Sequence, residues 1–450
     1  MKKLNVYQIF LLFIFLFVTL SLYIPMLDAG YAITDDWLML RSYSGSLKNI
    51  SLSYIINTFK SFHEGLYHPL VTLSYSLEVS LFGFVPAVFH LDNILLHLIN
   101  VYLAFLIFFK LSKNNYWVGL IVAILFSLHP TRVESVAWIS ARKDLLYAPF
   151  YLLSILFYLK SYKKPFTFSP VHPLTLSVFF FVLSCFSKSM AITLPFVLVL
   201  IDFYTNKFDK KNFKIYLPYI IVAVIFIFIT FISHYNASTF TVNERLHLTF
   251  FKMCVNFINA HFNIIFYLDK FFLPINLYCM YPFFYKETAS LPPWFIMYSP
   301  AVLYLMIFFF GLTLKKTKLL FFGFMFFLVT VFPVSGIFPI GDFAVADRYT
   351  YLPYLGLFYI FAKLVVFLFV KYNKFVKVII VCLCVLIVSV LGFLSYKRII
   401  DWKMNNYGYP IKMKYYEFGI VKKAEKESII SPKQKETYKR RVHMGAKKRQ

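Results

Sequence analysis

LHPTRVESVAWISARKDLLY, residues 128–147, sets His129, Arg132, Glu134, Arg142, Lys143 and Asp144 between two strongly apolar runs at about 116–128 and 144–160. Both runs are hydrophobic enough to enter a bilayer. Charge at the edge of hydrocarbon is costly and usually faces a water-filled cavity or a polar ligand. A loop this rich in charge is therefore where chemistry on something charged is expected.

The rest of the chain agrees with a membrane setting. Its 450 residues are 60% hydrophobic and 21% aromatic, with 57 Phe and 34 Tyr, and the mean hydropathy is +0.69. Such apolar mass excludes an ordinary soluble domain and predicts an all-α polytopic membrane protein. The five cysteines (185, 254, 279, 382 and 384) show no CxxC or Cys/His ligand spacing. Neither a disulfide framework nor a metal site is expected from them. The net charge of +26 divides unevenly: residues 397–450 hold 16 of the 46 Lys and Arg and five acids, which makes +11 there and +15 elsewhere. That tail reads as a solvated extension rather than a nucleic-acid partner. The opening MKKLNVYQIFLLFIFLFVTLSLYIP has too long an apolar core for a signal peptide and no small-residue cleavage site, so it reads as a retained first span.

Eleven spans fit the apolar runs, at about 7–25, 90–109, 116–128, 144–160, 172–188, 189–205, 215–233, 294–314, 319–334, 350–370 and 375–395. With the N-terminus inside, six short cytoplasmic stretches carry 17 Lys and Arg, and the opposite side carries 12 over far longer loops. This is the asymmetry of the positive-inside rule. Residues 68–84 and 250–273 are apolar but would break the alternation, so both are expected as interfacial or re-entrant helices on the outer side. The outer side then gathers loops 26–89, 129–143, 234–293 and 335–349 with the turn at Lys188, and the domain runs over 1–396.

Several groups there need a reason. Asp35 and Asp36 follow the first span in AITDDWLML and read as a general base, a metal ligand or a helix cap. His68 opens an apolar helix that carries Glu78. His90, Asn93 and His97 share one helix face, which favours polar packing between helices over metal binding, and no metal is assigned. Arg142, Lys143, Lys188 and Arg348 all fall on the outer side; converging there, they suit a phosphate or pyrophosphate, whereas scattered they are interfacial anchors. Asp347 is expected to pair with Arg348 or to hold its side chain for an anionic ligand.

With these residues in view, the chain resembles the bacterial relatives of the transmembrane-and-TPR O-mannosyltransferases, within the GT-C glycosyltransferase superfamily. The matching blocks are TDD (34–36), HPLVTLSYSLEVSLFG (68–83), FHLDNILLHLIN (89–100) and LHPTRVESVAWISARKD (128–144). They continue with SKSMAITLPFVLVLIDFY (187–204), FFLPINLYCMYP (271–282) and FPVSGIFPIGDFAVADRYTYLPYLG (332–356), in order across about residues 30–405. The resemblance implies a GT-C-like fold and transfer of a sugar, mannose or another hexose, from a polyprenyl-phosphate carrier to an acceptor hydroxyl on a protein or glycan. It implies Asp36, with Asp35, as base or acceptor-orienting group, and Arg142, Lys188, Arg348 and Lys143 on the donor phosphate. His68, His129, Glu134 and Asp347 would support them. A divalent metal is left open. The expected setting is the bacterial inner membrane, with the site on its outer face.

The chain departs from the family pattern at Arg132, where His is usual, at Ala141, where an acid often stands, and at Ser189 after Lys188. The TPR repeats usual after Trp402 are replaced by the Lys-rich tail. The competing reading is a transporter or flippase of a lipid-linked or anionic substrate. Such proteins often show internal repeats and paired broken helices. Neither is visible here, and Lys363 is the clearest mid-membrane charge. A third reading is a non-catalytic scaffold.

Overall fold

Apolar runs cut by Pro, Asn and Lys-rich turns fold as helices of up to 33 residues in the computed structural model of the protein. It describes residues 5–32, 36, 50–62, 65–162, 172–236, 250–278, 281, 293–337 and 345–406. Two units are separable, Met1–Ile411 and Lys412–Gln450; the second, like Asp35 and Cys279, lies outside the described residues.

Among the described residues the α-helices begin with α1 (Val6–Tyr23), α2 (Leu52–Lys60), α3 (Pro69–Phe82), α4 (Pro86–Leu111) and α5 (Tyr116–Leu128). Next come α6 (Arg132–Ala137), α7 (Arg142–Ser161), α8 (Pro173–Ser187), α9 (Leu194–Tyr204) and α10 (Leu217–Asn236). The last five are α11 (Phe250–Phe272), α12 (Pro293–Leu312), α13 (Leu319–Val331), α14 (Tyr354–Lys371) and α15 (Lys374–Asn406). No strand forms among the described residues beyond isolated bridges such as Tyr281–Val345. The chain is an all-α polytopic membrane protein. Each of the eleven expected spans falls on a helix, and the two apolar segments set aside as outer helices are α3 and α11. Among the described residues, four helical stretches are long and apolar enough to cross a membrane by themselves: Val6–Asp28, Pro86–Leu111, Tyr354–Lys371 and Lys374–Lys403. Seven shorter apolar helical stretches accompany them. The nine-residue α2 has no counterpart in the sequence reading, because its alternation of polar and apolar residues is too brief to register.

Local signals set the boundaries. Asn5 and Gln8 form a capping box at α1, with the Asn5 side chain accepting from the Gln8 N–H at 2.8 Å and Gln8 Oε1 accepting from the Asn5 N–H at 3.2 Å. Pro69, Pro86 and Pro173 each open a helix at the position whose N–H has no intrahelical partner. Gly83, at φ +73°, ends α3 in a backbone conformation that a side chain would strain.

Helix α7 packs along α8, α4 lies against α5 and α7, and α14 lies against α5 and α13. Buried polar groups bridge these helices, as they do where lipid offers no partner. Ser154 Oγ donates to the Ser177 carbonyl at 2.7 Å, Tyr219 donates to Ser177 Oγ at 2.7 Å, and Ser184 Oγ donates to the Tyr147 carbonyl at 2.9 Å. Asn100 Nδ2 reaches the Leu145 carbonyl at 3.0 Å. Large apolar side chains of α1 and α15, such as Phe13 and Phe393, point outward, as a lipid-facing surface requires.

Helices α13 and α14 cross with almost no side chain between them. A Cβ on Gly356 would lie 2.3 Å from the Gly323 carbonyl oxygen, and one on Gly323 would lie 2.5 Å from the Gly356 carbonyl oxygen. Gly356→Ala is therefore expected to cost about 1–3 kcal/mol through forced separation of the two helices. Gly392→Ala on α15, where a Cβ meets nothing within 4 Å, serves as the control. Thermal unfolding in detergent should show a lowered Tm for the first variant only; equal melting of the two would refute the close crossing.

Candidate functional site

Asp36 is fully buried, and its carboxylate is tied to two segments. Oδ2 accepts from the Ala32 N–H at 2.9 Å. Oδ1 accepts from the Ser140 N–H at 2.8 Å and from Ser140 Oγ at 2.6 Å. Ser140 lies in the 3-10 turn Ile139–Ala141 between α6 and α7, inside the charged loop. The segment after α1 and the 129–144 loop, about a hundred residues apart in sequence, thus meet at this carboxylate.

The turn is itself fixed from outside. Tyr75 on α3 donates to the Ile139 carbonyl at 2.7 Å. Arg142, the first residue of α7, is fully buried and spends its guanidinium on four partners. Nη1 pairs with Glu78 and lies 3.4 Å from Asp92 Oδ2; Nε donates to Asn93 Oδ1 at 2.9 Å, and Nη2 to the Phe89 carbonyl at 2.9 Å. The Tyr75 ring covers it at 4.5 Å. Glu78 is therefore the buried partner of an arginine.

Two other expected cations do come together. Lys188 pairs with Asp144 and lies 5.4 Å from the Tyr349 ring centroid. Arg348 pairs with Glu134 and lies 5.0 Å from that same ring. Glu134 also accepts from the Arg348 backbone N–H at 3.2 Å. Burial lowers the pKa of Lys188, and Asp144 opposes the fall. The expected convergence of Arg142, Lys143, Lys188 and Arg348 is thus met by Lys188 and Arg348 about Tyr349. Arg142 sits on its own acids, because it needs a counter-charge where it is buried. Lys143, one residue on and so turned about 100° around the helix, is partly exposed.

Asp347 does not hold Arg348. Its Oδ2 takes Arg398 of α15 at 2.5 Å, and its Oδ1 accepts from Tyr281 at 3.2 Å. The two residues open a 3-10 turn, Asp347–Thr350, in which neighbours project about 120° apart. One therefore faces α15 and the other α6. Burial pushes the Asp347 carboxyl up to about 7, against the pull of Arg398.

His129 is buried between Thr131 Oγ1, at 2.9 Å from Nδ1, and the Phe271 carbonyl, at 3.2 Å from Nε2. Burial and the Arg132 cation lower its pKa to about 3, so the ring is neutral and joins the loop to α11. His68 caps α3 through its backbone carbonyl, which accepts from Val71 and Thr72. Arg132, standing where the family pattern has His, donates to the Thr350 and Tyr351 carbonyls at 2.9 and 2.5 Å and to Thr131 Oγ1 at 2.8 Å. Burial brings its pKa down to about 10, which leaves it charged at neutral pH. The polar-packing reading of the α4 face holds. His90 contacts the Gly30 carbonyl at 3.1 Å, Asn93 reaches the Val136 carbonyl at 3.3 Å, and His97 meets Tyr351 at 2.7 Å. No group of three or more His, Cys, Asp or Glu among the described residues is arranged to hold a metal ion.

Sequence reasoning missed Ser140 and the Trp138–Trp402 stack, whose ring centroids lie 6.1 Å apart with the Arg348 guanidinium 4.8 Å from the Trp138 ring. A serine in a charged loop carries no signal of its own. The Trp pair is separated by most of the chain.

No family model matches the chain. Human protein O-mannosyl-transferase TMTC1 is 32% identical over 155 residues, which is 32% of this chain and 18% of that protein. A Caenorhabditis elegans protein O-mannosyl-transferase is 25% identical over 352 residues, 75% of this chain and 47% of that protein. The chain therefore spans less than half the length of these relatives. Among solved structures, the Archaeoglobus fulgidus oligosaccharyltransferase tethered with an acceptor peptide aligns at TM-score 0.48 and 13% identity, over 88% of this chain and 55% of that one. ArnT from Cupriavidus metallidurans bound to undecaprenyl phosphate aligns at TM-score 0.40 and 12% identity, over 88% of this chain and 74% of that one. In sequence, the chain is similar over part of its length to proteins named O-mannosyl-transferases, the group that its motif blocks resemble.

Proposed function

We propose that the chain is an integral membrane glycosyltransferase that moves a hexose, mannose foremost, from a polyprenyl-phosphate carrier to an acceptor hydroxyl. The acceptor is a protein Ser or Thr, and the reaction runs at the outer face of a bacterial inner membrane. The observation that carries the reading is Asp36: a buried carboxylate held by Ala32 and Ser140 in a relative of named O-mannosyl-transferases. The acceptor oxygen attacks the anomeric carbon, the bond from that carbon to the carrier phosphate breaks, and the phosphate leaves with the electron pair. Asp36 takes or directs the acceptor proton. Lys188 and Arg348, gathered about Tyr349, meet the charge that grows on the departing phosphate, with the partly exposed Lys143 beside the loop. Arg142 acts at one remove by holding the turn that carries Ser140. Asp35 is a neighbouring acid outside the described residues.

Asp36→Asn is expected to lower transfer by about 10²–10⁴-fold, the usual contribution of a positioned base, at unchanged protein level. The assay is incorporation of mannose from polyprenyl-phosphate mannose into a Ser/Thr-rich peptide by purified protein. Near-normal transfer by that variant would remove Asp36 from the mechanism. Lys188→Gln is expected to reduce kcat by about 10²–10³-fold, as loss of one charge-stabilising group does. An unchanged kcat would assign Lys188 to Asp144 alone. Wild-type protein that carries the lipid-linked sugar across a vesicle membrane without transferring it would replace the whole reading with that of a flippase.

A further inference from the structure

We infer that Ser140 is the positioning residue of Asp36: its hydroxyl and its backbone N–H together orient one carboxylate oxygen and keep the group ionised. The inference rests on the glycosyl-transfer reading but makes a claim of its own about the carboxylate. Both Ser140 donors point at the same atom, Oδ1, at 2.6 and 2.8 Å, while Oδ2 is directed by Ala32. Two donors on one oxygen fix the plane of the carboxylate, which settles where its remaining lone pairs point. Hydrogen bonds to a carboxylate favour its charged form and lower its pKa. A base used near neutral pH has to be ionised there, and a fully buried carboxylate without such donors would tend to protonate.

The support behind Ser140 is continuous. Tyr75 fixes the carbonyl of the residue before Ala141's predecessor in the turn, Ile139, and Arg142 is clamped by Glu78, Asn93 and the Phe89 carbonyl. The turn is thus pinned on both sides of the serine by α3 and α4. Among the described residues, these titratable and charged groups stand near the contact. Tyr31 lies on the Asp36 side, and its phenol is raised by burial and by the Asp36 charge, so it stays neutral. From α4, His90 is engaged by the Gly30 carbonyl, and Asp92 approaches Arg142. Arg142 and Glu78 stand beyond Ser140 as an ion pair, and Lys143 follows Arg142 at the start of α7.

Two measurements test this on the full-length protein in detergent. Infrared difference spectroscopy follows protonation of Asp36, the band being identified by its loss in Asp36→Asn. Ser140→Ala keeps the backbone donor and removes the hydroxyl, so the titration midpoint should rise by about one pH unit, the worth of a hydrogen bond to a charged group. Ser140→Thr, which keeps the hydroxyl, should restore it. In the mannosyl-transfer assay the acid limb of the pH–rate profile should move upward by the same amount in Ser140→Ala and return in Ser140→Thr. An unmoved infrared midpoint overturns the inference whatever the enzyme transfers. A moved midpoint with an unmoved rate profile leaves the contact intact and overturns the catalytic use of Asp36. Activity lowered equally at every pH, with the midpoint unmoved, reduces Ser140 to a packing residue.

Discussion

The ion pair between Arg348 and Glu134 fixes the turn that carries Tyr349, around which the two cations of the site are gathered. It joins residues 214 apart in sequence, and both partners are withdrawn from water. A buried charge that loses its partner costs about 3–5 kcal/mol, so neither side chain has a cheap alternative position. The Glu134 carboxylate takes the Arg348 backbone N–H as well as the side chain, which locks the 3-10 turn Asp347–Thr350 against α6. Tyr349 is carried in that turn, and around its ring Lys188 and Arg348 are gathered.

From that anchor the site divides into parts with different work. Lys188 and Arg348 are each matched by one carboxylate, Asp144 and Glu134, which lets a low-dielectric setting hold both cations around one ring. Arg142 and Glu78 make a clamp that shapes the Ser140 turn. Arg132 is a third kind of cation, held by backbone carbonyls, hydroxyls and the rings of Phe126, Tyr351 and Tyr354. Three arginines of similar burial thus perform three tasks, and only their partners tell them apart.

Helix content was readable because apolar runs of span length leave few alternatives, and the positions of Lys and Arg gave an expectation of which end faces which side. The same patterning set α3 and α11 apart from the spans, and both segments are helical. Ion-pair partners were not readable in this way. Arg348 and Asp347 are adjacent in sequence and pair with Glu134 and Arg398, because a 3-10 turn sends neighbouring side chains in different directions. Arg142 looked like one of four equivalent cations until Glu78, 64 residues away, was seen beside it. Local sequence carries helical period and charge, whereas contacts across the bundle depend on which helices pack.

Helix α15 has one further consequence. Its 33 residues span about 50 Å, against a hydrocarbon thickness of roughly 30 Å. The excess forms a strut at the end that carries the charged loops. Near its tip Arg398 grips Asp347, and Lys403 reaches Asp28 at the end of the first span at 2.7 Å. A thicker or thinner bilayer asks a spanning helix to change its tilt. Here such a change pulls on Asp347, and through the peptide bond on Arg348 next to it. The strut therefore makes the geometry around Tyr349 sensitive to the thickness of the membrane that surrounds it.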